Sequence, residues 1–116
     1  MRSRIIGYKG EDIAARFLQS NGYTIIKNNF TVRGGEIDLI TKKQGSIVFV
    51  EVKTRTGSAF GSGEESVGSL KKRRLQRTIE LFLAQERYPE NTEYQLDIID
   101  IEIDRETGSI KTISHF

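Results

Sequence analysis

The chain contains no cysteine, one histidine and one proline. Without cysteine, disulfides, thiolate zinc sites and cysteine nucleophiles are excluded. The one histidine, His115, stands beside the C-terminal residue, so a histidine general base is not expected. Long apolar runs are missing as well. No apolar run exceeds four residues; Ile47-Val48-Phe49-Val50 is far too short to span a bilayer, and no membrane association is expected. The opening Met-Arg-Ser-Arg-Ile-Ile-Gly-Tyr-Lys carries charge but no apolar stretch of the kind a secretory signal needs. A cytoplasmic protein is therefore expected.

What is present suits one soluble domain over residues 1–116, with 36% hydrophobic and 29% charged residues. The net charge of +2 hides an uneven distribution. Lys71, Lys72, Arg73, Arg74 and Arg77 form one basic cluster, and Arg2, Arg4 and Lys9 another. Asp97, Asp100, Glu102, Asp104 and Glu106 make a late acidic stretch. A basic face on a near-neutral protein is compatible with nucleic-acid binding. A solvated helix face is the commoner meaning of such a run.

Apolar spacing predicts a first helix over 9–21, carried by Ile13, Ala14, Phe17 and Leu18 and stopped at Asn21-Gly22. A strand with an irregular middle at Asn28-Asn29 follows over 23–33, then a turn at Gly34-Gly35. Strands 36–42 and 46–55 are close enough to form a hairpin. Glycine-rich 57–68 reads as a loop. A second helix over 69–87 carries Leu75, Ile79, Phe82 and Leu83 as one stripe, and Pro89 marks its end. Strands 94–103 and 109–114 close the chain around a turn at 104–108. The order α-β-β-β-α-β-β implies an α/β sandwich around a mixed sheet.

Chemistry concentrates in the hairpin 36–55. Glu51 and Lys53 interrupt a strongly apolar strand. Being two apart they share a face, as do Glu36 and Asp38. A two- or four-residue turn centred on Gln44-Gly45 places Asp38 opposite Glu51 and Glu36 opposite Lys53, with Cβ atoms about 4.5–5.5 Å apart. A three-residue loop without a bulge would instead put Asp38 and Glu51 on opposite faces. Gln-Gly suits a tight turn and favours the first register. Two carboxylates at about 5 Å repel by on the order of 3 kcal/mol at an effective dielectric near 20. Lys53, a raised pKa or a divalent cation can offset this, and hard oxygens without Cys or His suit Mg²⁺ or Mn²⁺. The bland alternative is a cross-strand ion-pair lattice of Glu36 and Lys53 beside Asp38. Glu11, at the edge of the first helix's apolar stripe, is a third candidate carboxylate or simply a first-turn glutamate favoured by the helix dipole.

Asp38 followed by Glu51-Val52-Lys53 resembles the D…(D/E)-x-K motif of restriction-endonuclease-like nucleases. Residues 7–22, Gly-Glu-Ile-Asp-Leu-Ile, Phe-Val-Glu-Val-Lys-Thr-Arg and residues 71–75, in that order, resemble the YraN-like family of bacterial proteins, itself similar to archaeal Holliday-junction resolvases. The resemblance covers about residues 7–101. It implies a restriction-endonuclease-like fold, metal-binding roles for Glu11, Asp38 and Glu51, and a catalytic role for Lys53. The chain departs from the pattern at Gln95, where the family often has Arg.

The resulting expectation is a metal-dependent nuclease acting on DNA, branched or structured DNA included. Asp38 and Glu51, with Glu11 directly or through water, would hold Mg²⁺ or Mn²⁺, and Lys53 would orient water or neutralise charge. On a helix, Lys71, Arg74 and Arg77 share a side and would grip DNA phosphates. A resolvase-like homodimer would set two sites on two strands. The alternative is a non-catalytic DNA-structure-binding or complex-forming module that keeps the nuclease fold.

Overall fold

The computed structural model describes the backbone of residues 2–56 and 68–116, with side chains from Gly10 onward. Helix α1 spans Arg2–Ser20 and begins earlier than its apolar stripe suggests. Residues 2–8 hold no proline, and their one glycine, Gly7, costs a helix only about 1 kcal/mol. The helix stops where expected. Gly22 takes φ 90°, and Tyr23 N–H and Gly22 N–H bond back to the Leu18 and Gln19 carbonyls. That is a Schellman cap, which satisfies carbonyls the helix would otherwise orphan.

Strands β1 (Thr24–Val32), β2 (Gly35–Lys43) and β3 (Ser46–Thr56) follow. Helix α2 (Ser69–Gln85), β4 (Tyr94–Ile103) and β5 (Ile110–His115) complete the order α-β-β-β-α-β-β. Most of the glycine-rich segment 57–68 lies outside the described residues, as do the side chains of Arg2, Arg4 and Lys9. Helix α2 ends two residues early because Arg87 adopts φ 60° and completes a second Schellman cap. No glycine marks that stop in the sequence.

The five strands lie in the order β1-β2-β3-β4-β5. All neighbours are antiparallel except β3 and β4, which run parallel and are joined through α2. The sheet is therefore mixed. Alternate residues of β3 serve opposite cores. Val48 and Val50 pack with Ala14 and Leu18 of α1, while Ile47 and Phe49 pack with Ile79 and Phe82 of α2. The two helices thus cover opposite faces.

The β2–β3 hairpin closes on Gln44 and Gly45, both at positive φ, as a two-residue primed turn requires. Its register is Lys43 to Ser46 through Leu39 to Val50, the expected one, but the pairing ends there, so the expected pairs Asp38–Glu51 and Glu36–Lys53 do not form in the ladder. Glycine brings both helices close. A Cβ on Gly10 would overlap Thr54 Oγ1 of β3, and one on Gly35 would overlap Thr78 Oγ1 of α2. These two contacts set α1 and α2 against the sheet beside the hairpin's charged end.

Candidate functional site

The β2–β3 ladder stops at Leu39 and Val50, just before Asp38 and Glu51 would pair. There Asp38 Oδ2 accepts the Val52 N–H at 2.7 Å, and a side chain replaces the next ladder bond. The neighbouring pair is irregular at the same level. Asn28 lies opposite Leu39, whose side chain joins the α1 core, whereas Phe30 and Ile37 pair and both join the α2 core. On a regular strand, residues two apart share a face. Both strands therefore switch faces at Asn29, with φ 53°, and at Asp38. Asp38 sits at the switch, between the two layers.

Glu51 lies on the α2 face and is only 9% exposed; Asp38 is 8% exposed. Burial, then hydrogen bonding and charge repulsion from Asp38, push the Glu51 carboxyl up to about 8, against the partial relief of Lys71 and Lys53. Glu51 therefore keeps its proton near neutrality. Lys71 Nζ stands 3.9 Å from Glu51 Oε2. Lys53 is half-buried, and burial and Lys71 lower its pKa against the pull of Glu51 and Asp38. Two lysines and two carboxylates therefore converge.

Glu11 approaches from the other layer. It lines a small cleft with Asn28, Asn29 and Leu39. Burial raises its pKa, Asp38 and Glu36 raise it further, and a hydrogen bond with Asn29 lowers it. The carboxylates form a row, with Asp38 between Glu51 and Glu11. Among the described residues, no three acids or histidines gather closely enough to cage a metal ion. The donors still fit a hydrated hard cation, because Mg²⁺ keeps several waters and needs only one or two carboxylates. The buried, mutually repelling carboxylates of Asp38 and Glu51 would be its ligands. Glu36 lines the cavity beside Glu51, together with Lys71 and Arg74. Arg77 donates to the Arg33 carbonyl at 3.4 Å, over the β1–β2 turn. Lys72 and Arg73 are exposed.

Two features escape sequence reading. Lys71 reaches Glu51 itself, across twenty positions of chain. Arg55 holds Asp100 through Nε at 3.1 Å and Nη2 at 2.9 Å. Asp100 is the register partner of Lys53. With Arg55 matched to Asp100, Lys53 is left to the acids of the hairpin. The signal for Lys71 was the basic cluster; for Arg55 it was the alternation Glu51, Lys53, Arg55 along one face. Gln95, by contrast, belongs elsewhere. Its Nε2 donates to Asp97 Oδ1 at 2.8 Å, and His115 Nε2 lies 2.7 Å from Asp97 Oδ2. His115 pairs with Ile99 and packs against Phe17 of α1, so this group holds the α1 face, away from Glu51.

The chain has extensive relatives. The sequence profile of the family described as "Uncharacterised protein family UPF0102" matches residues 10–101. The UPF0102 protein of Symbiobacterium thermophilum is 45% identical over 100 residues, covering 86% of this chain and 84% of that one. The UPF0102 protein of Neisseria gonorrhoeae is 44% identical over 108 residues, 93% of each chain. Among solved structures, an XisH family protein from Nostoc punctiforme covers 90% of this chain and 97% of its own, at TM-score 0.39 and 13% identity. Pyrococcus furiosus SfsA, solved in complex with Ca²⁺, covers 97% of this chain and 62% of its own, at TM-score 0.37 and 12% identity.

Proposed function

The chain belongs to the UPF0102 family, and we propose that it is a metal-dependent nuclease hydrolysing DNA phosphodiester bonds, with branched or structured DNA as its substrate class. The observation that carries this reading is the buried Asp38–Glu51 pair facing Lys53 and Lys71 where the hairpin ladder opens. Such a pair is electrostatically costly when empty and well suited to a cation when filled. Asp38 and Glu51 would hold Mg²⁺ or Mn²⁺, with Glu11 acting through water. Bound there, the ion supplies Lewis-acid chemistry at the phosphate and lowers the pKa of water. Lys53 orients the attacking water or meets the charge that develops on the phosphate. Arg74 and Arg77 hold the neighbouring backbone, and a homodimer would present two such sites to two strands. No helix among the described residues is long and apolar enough to cross a membrane. A nuclease of cellular DNA belongs in the cytoplasm.

The test is a panel of flaps, forks, four-way junctions, duplex and single strands incubated with Mn²⁺. Cleavage that Lys53→Ala abolishes while DNA binding survives supports the enzyme. One observation favours a second reading. The acids form a row rather than a cage, as suits a DNA-structure-binding module with little hydrolysis. Binding without cleavage across the whole panel would select that module.

A further inference from the structure

Beside the acidic pair lies a cavity of about 630 Å³, and we propose that it is a subsite for a single unpaired nucleotide adjacent to the scissile phosphate. The inference rests on the nuclease reading and names the nucleic acid that the site takes. Size is the first argument. The volume far exceeds the needs of a phosphate ion and falls within the roughly 300–1,000 Å³ of pockets that take whole small molecules.

Chemistry is the second argument. The lining divides into parts that match the parts of a nucleotide. Lys71 and Arg74 are cations for the phosphate. Lys71 also lies 3.9 Å from Glu51, which itself lines the cavity, so the cavity opens onto the acidic pair. Helix α2 starts at the same wall. Gly68 and Ser69, at that start, are part of the lining. Leu70, 58% exposed, is a large apolar side chain on the lining, where a base face can cover it. Gly34 and Gly35 bring bare backbone to the wall, and Glu36 offers an acceptor to a base or sugar donor.

Pairing state is the third argument. A base in a duplex is covered by its partner and its stacked neighbours. Seating it in a cavity requires breaking its pair and its stacking, and a nucleotide already unpaired avoids that cost. The cavity therefore selects single strands, flaps and branch points over intact duplex.

Binding of small probes tests this without relying on cleavage. Isotope-labelled protein in chelator is titrated with thymidine 5′-monophosphate, thymidine or inorganic phosphate, while the backbone amides of Gly34, Gly35, Ser69 and Leu70 are followed by NMR. The monophosphate should move these amides and bind at least about tenfold more tightly than either fragment, a difference of about 1.4 kcal/mol. Lys71→Ala should weaken the monophosphate to the level of thymidine, and Leu70→Ser to the level of phosphate. Equal binding of the three probes, or shifts centred elsewhere, would overturn the subsite. The Mn²⁺ cleavage panel is scored separately. Cleavage without a seated monophosphate overturns the subsite alone. A seated monophosphate with no cleavage of any DNA overturns the nuclease reading and leaves the subsite standing.

Discussion

The Asp38 carboxylate accepts the Val52 N–H at 2.7 Å, at the level where the β2–β3 ladder ends. One side chain therefore does two things. It satisfies a backbone donor that the parting strands would abandon, and it brings negative charge against Glu51. The structural and the electrostatic roles can be separated by substitution.

Asp38→Asn keeps an acceptor oxygen and removes the charge, whereas Asp38→Ala removes both. In chelator, the Asn variant should match or exceed wild-type stability. The Ala variant should lose about 1–3 kcal/mol for the unpaired donor, measured by urea denaturation. Mn²⁺ should raise the melting temperature of wild type more than that of Asp38→Asn. Equal shifts would show that the ion binds elsewhere.

Glu51 gives the stability a defined pH dependence. Its carboxyl is raised from 4.5 to about 8 in the folded protein. The folded state therefore holds a proton that the unfolded chain releases. This contribution is fully present below about pH 4.5 and is lost as pH rises through about 8. Without metal, wild type should lose stability relative to Glu51→Gln across that window, with a slope of at most about 1.4 kcal/mol per pH unit for one proton. Lys71 lowers the Glu51 pKa, so Lys71→Ala should move the window upward. Urea melts from pH 4 to 9 that show parallel curves for wild type and Glu51→Gln would refute the raised Glu51 pKa.

Much of this was legible in local chemistry. Gln44-Gly45 can make a tight primed turn, and that turn alone sets which residues of β2 and β3 face each other. Gly22 ends α1 because it tolerates φ 90°. The face switch at Asn29 was legible only as irregularity, since its direction depends on which helix covers Phe30 and Ile37. The Lys71–Glu51 approach depends on how closely α2 packs over Gly35, which no periodicity records. Arg87 ends α2 in a conformation that sequence assigns to glycine or asparagine.

Gly10 tests how the site depends on helix placement. A Cβ there would overlap Thr54 Oγ1, so Gly10→Ala must push α1 from β3. Overpacking of this kind costs about 1–3 kcal/mol, more than the roughly 1 kcal/mol that alanine gains in a helix. Gly10→Ala should be destabilising alone, and Thr54→Ala should rescue it in the double variant. The displaced Glu11 should also lessen the Mn²⁺ shift in melting temperature. A Gly10→Ala protein more stable than wild type would show that the close approach is not enforced.

The basic start of α2 makes the final prediction. Lys71 and Arg74 line the cavity beside Glu51, while Lys72 and Arg73 are not among its lining residues. Arg77 continues the row one turn on, and its bond to the Arg33 carbonyl is to a neutral group, so its charge stays available to a phosphate. Each phosphate neutralised releases counterions, which gives affinity a linear dependence on the logarithm of salt. Losing one contact should flatten that slope by about one unit, with little regard to base sequence. Lys71→Ala, Arg74→Ala and Arg77→Ala should each reduce affinity and slope. Arg73→Ala should change neither, since Arg73 is not among the cavity's lining residues. Fluorescence anisotropy with a labelled fork over a salt series reads both quantities at once. Equal slopes for all four variants and wild type would mean that DNA crosses another face. The charges of α2 would then serve solubility, and Lys71 would matter only through Glu51.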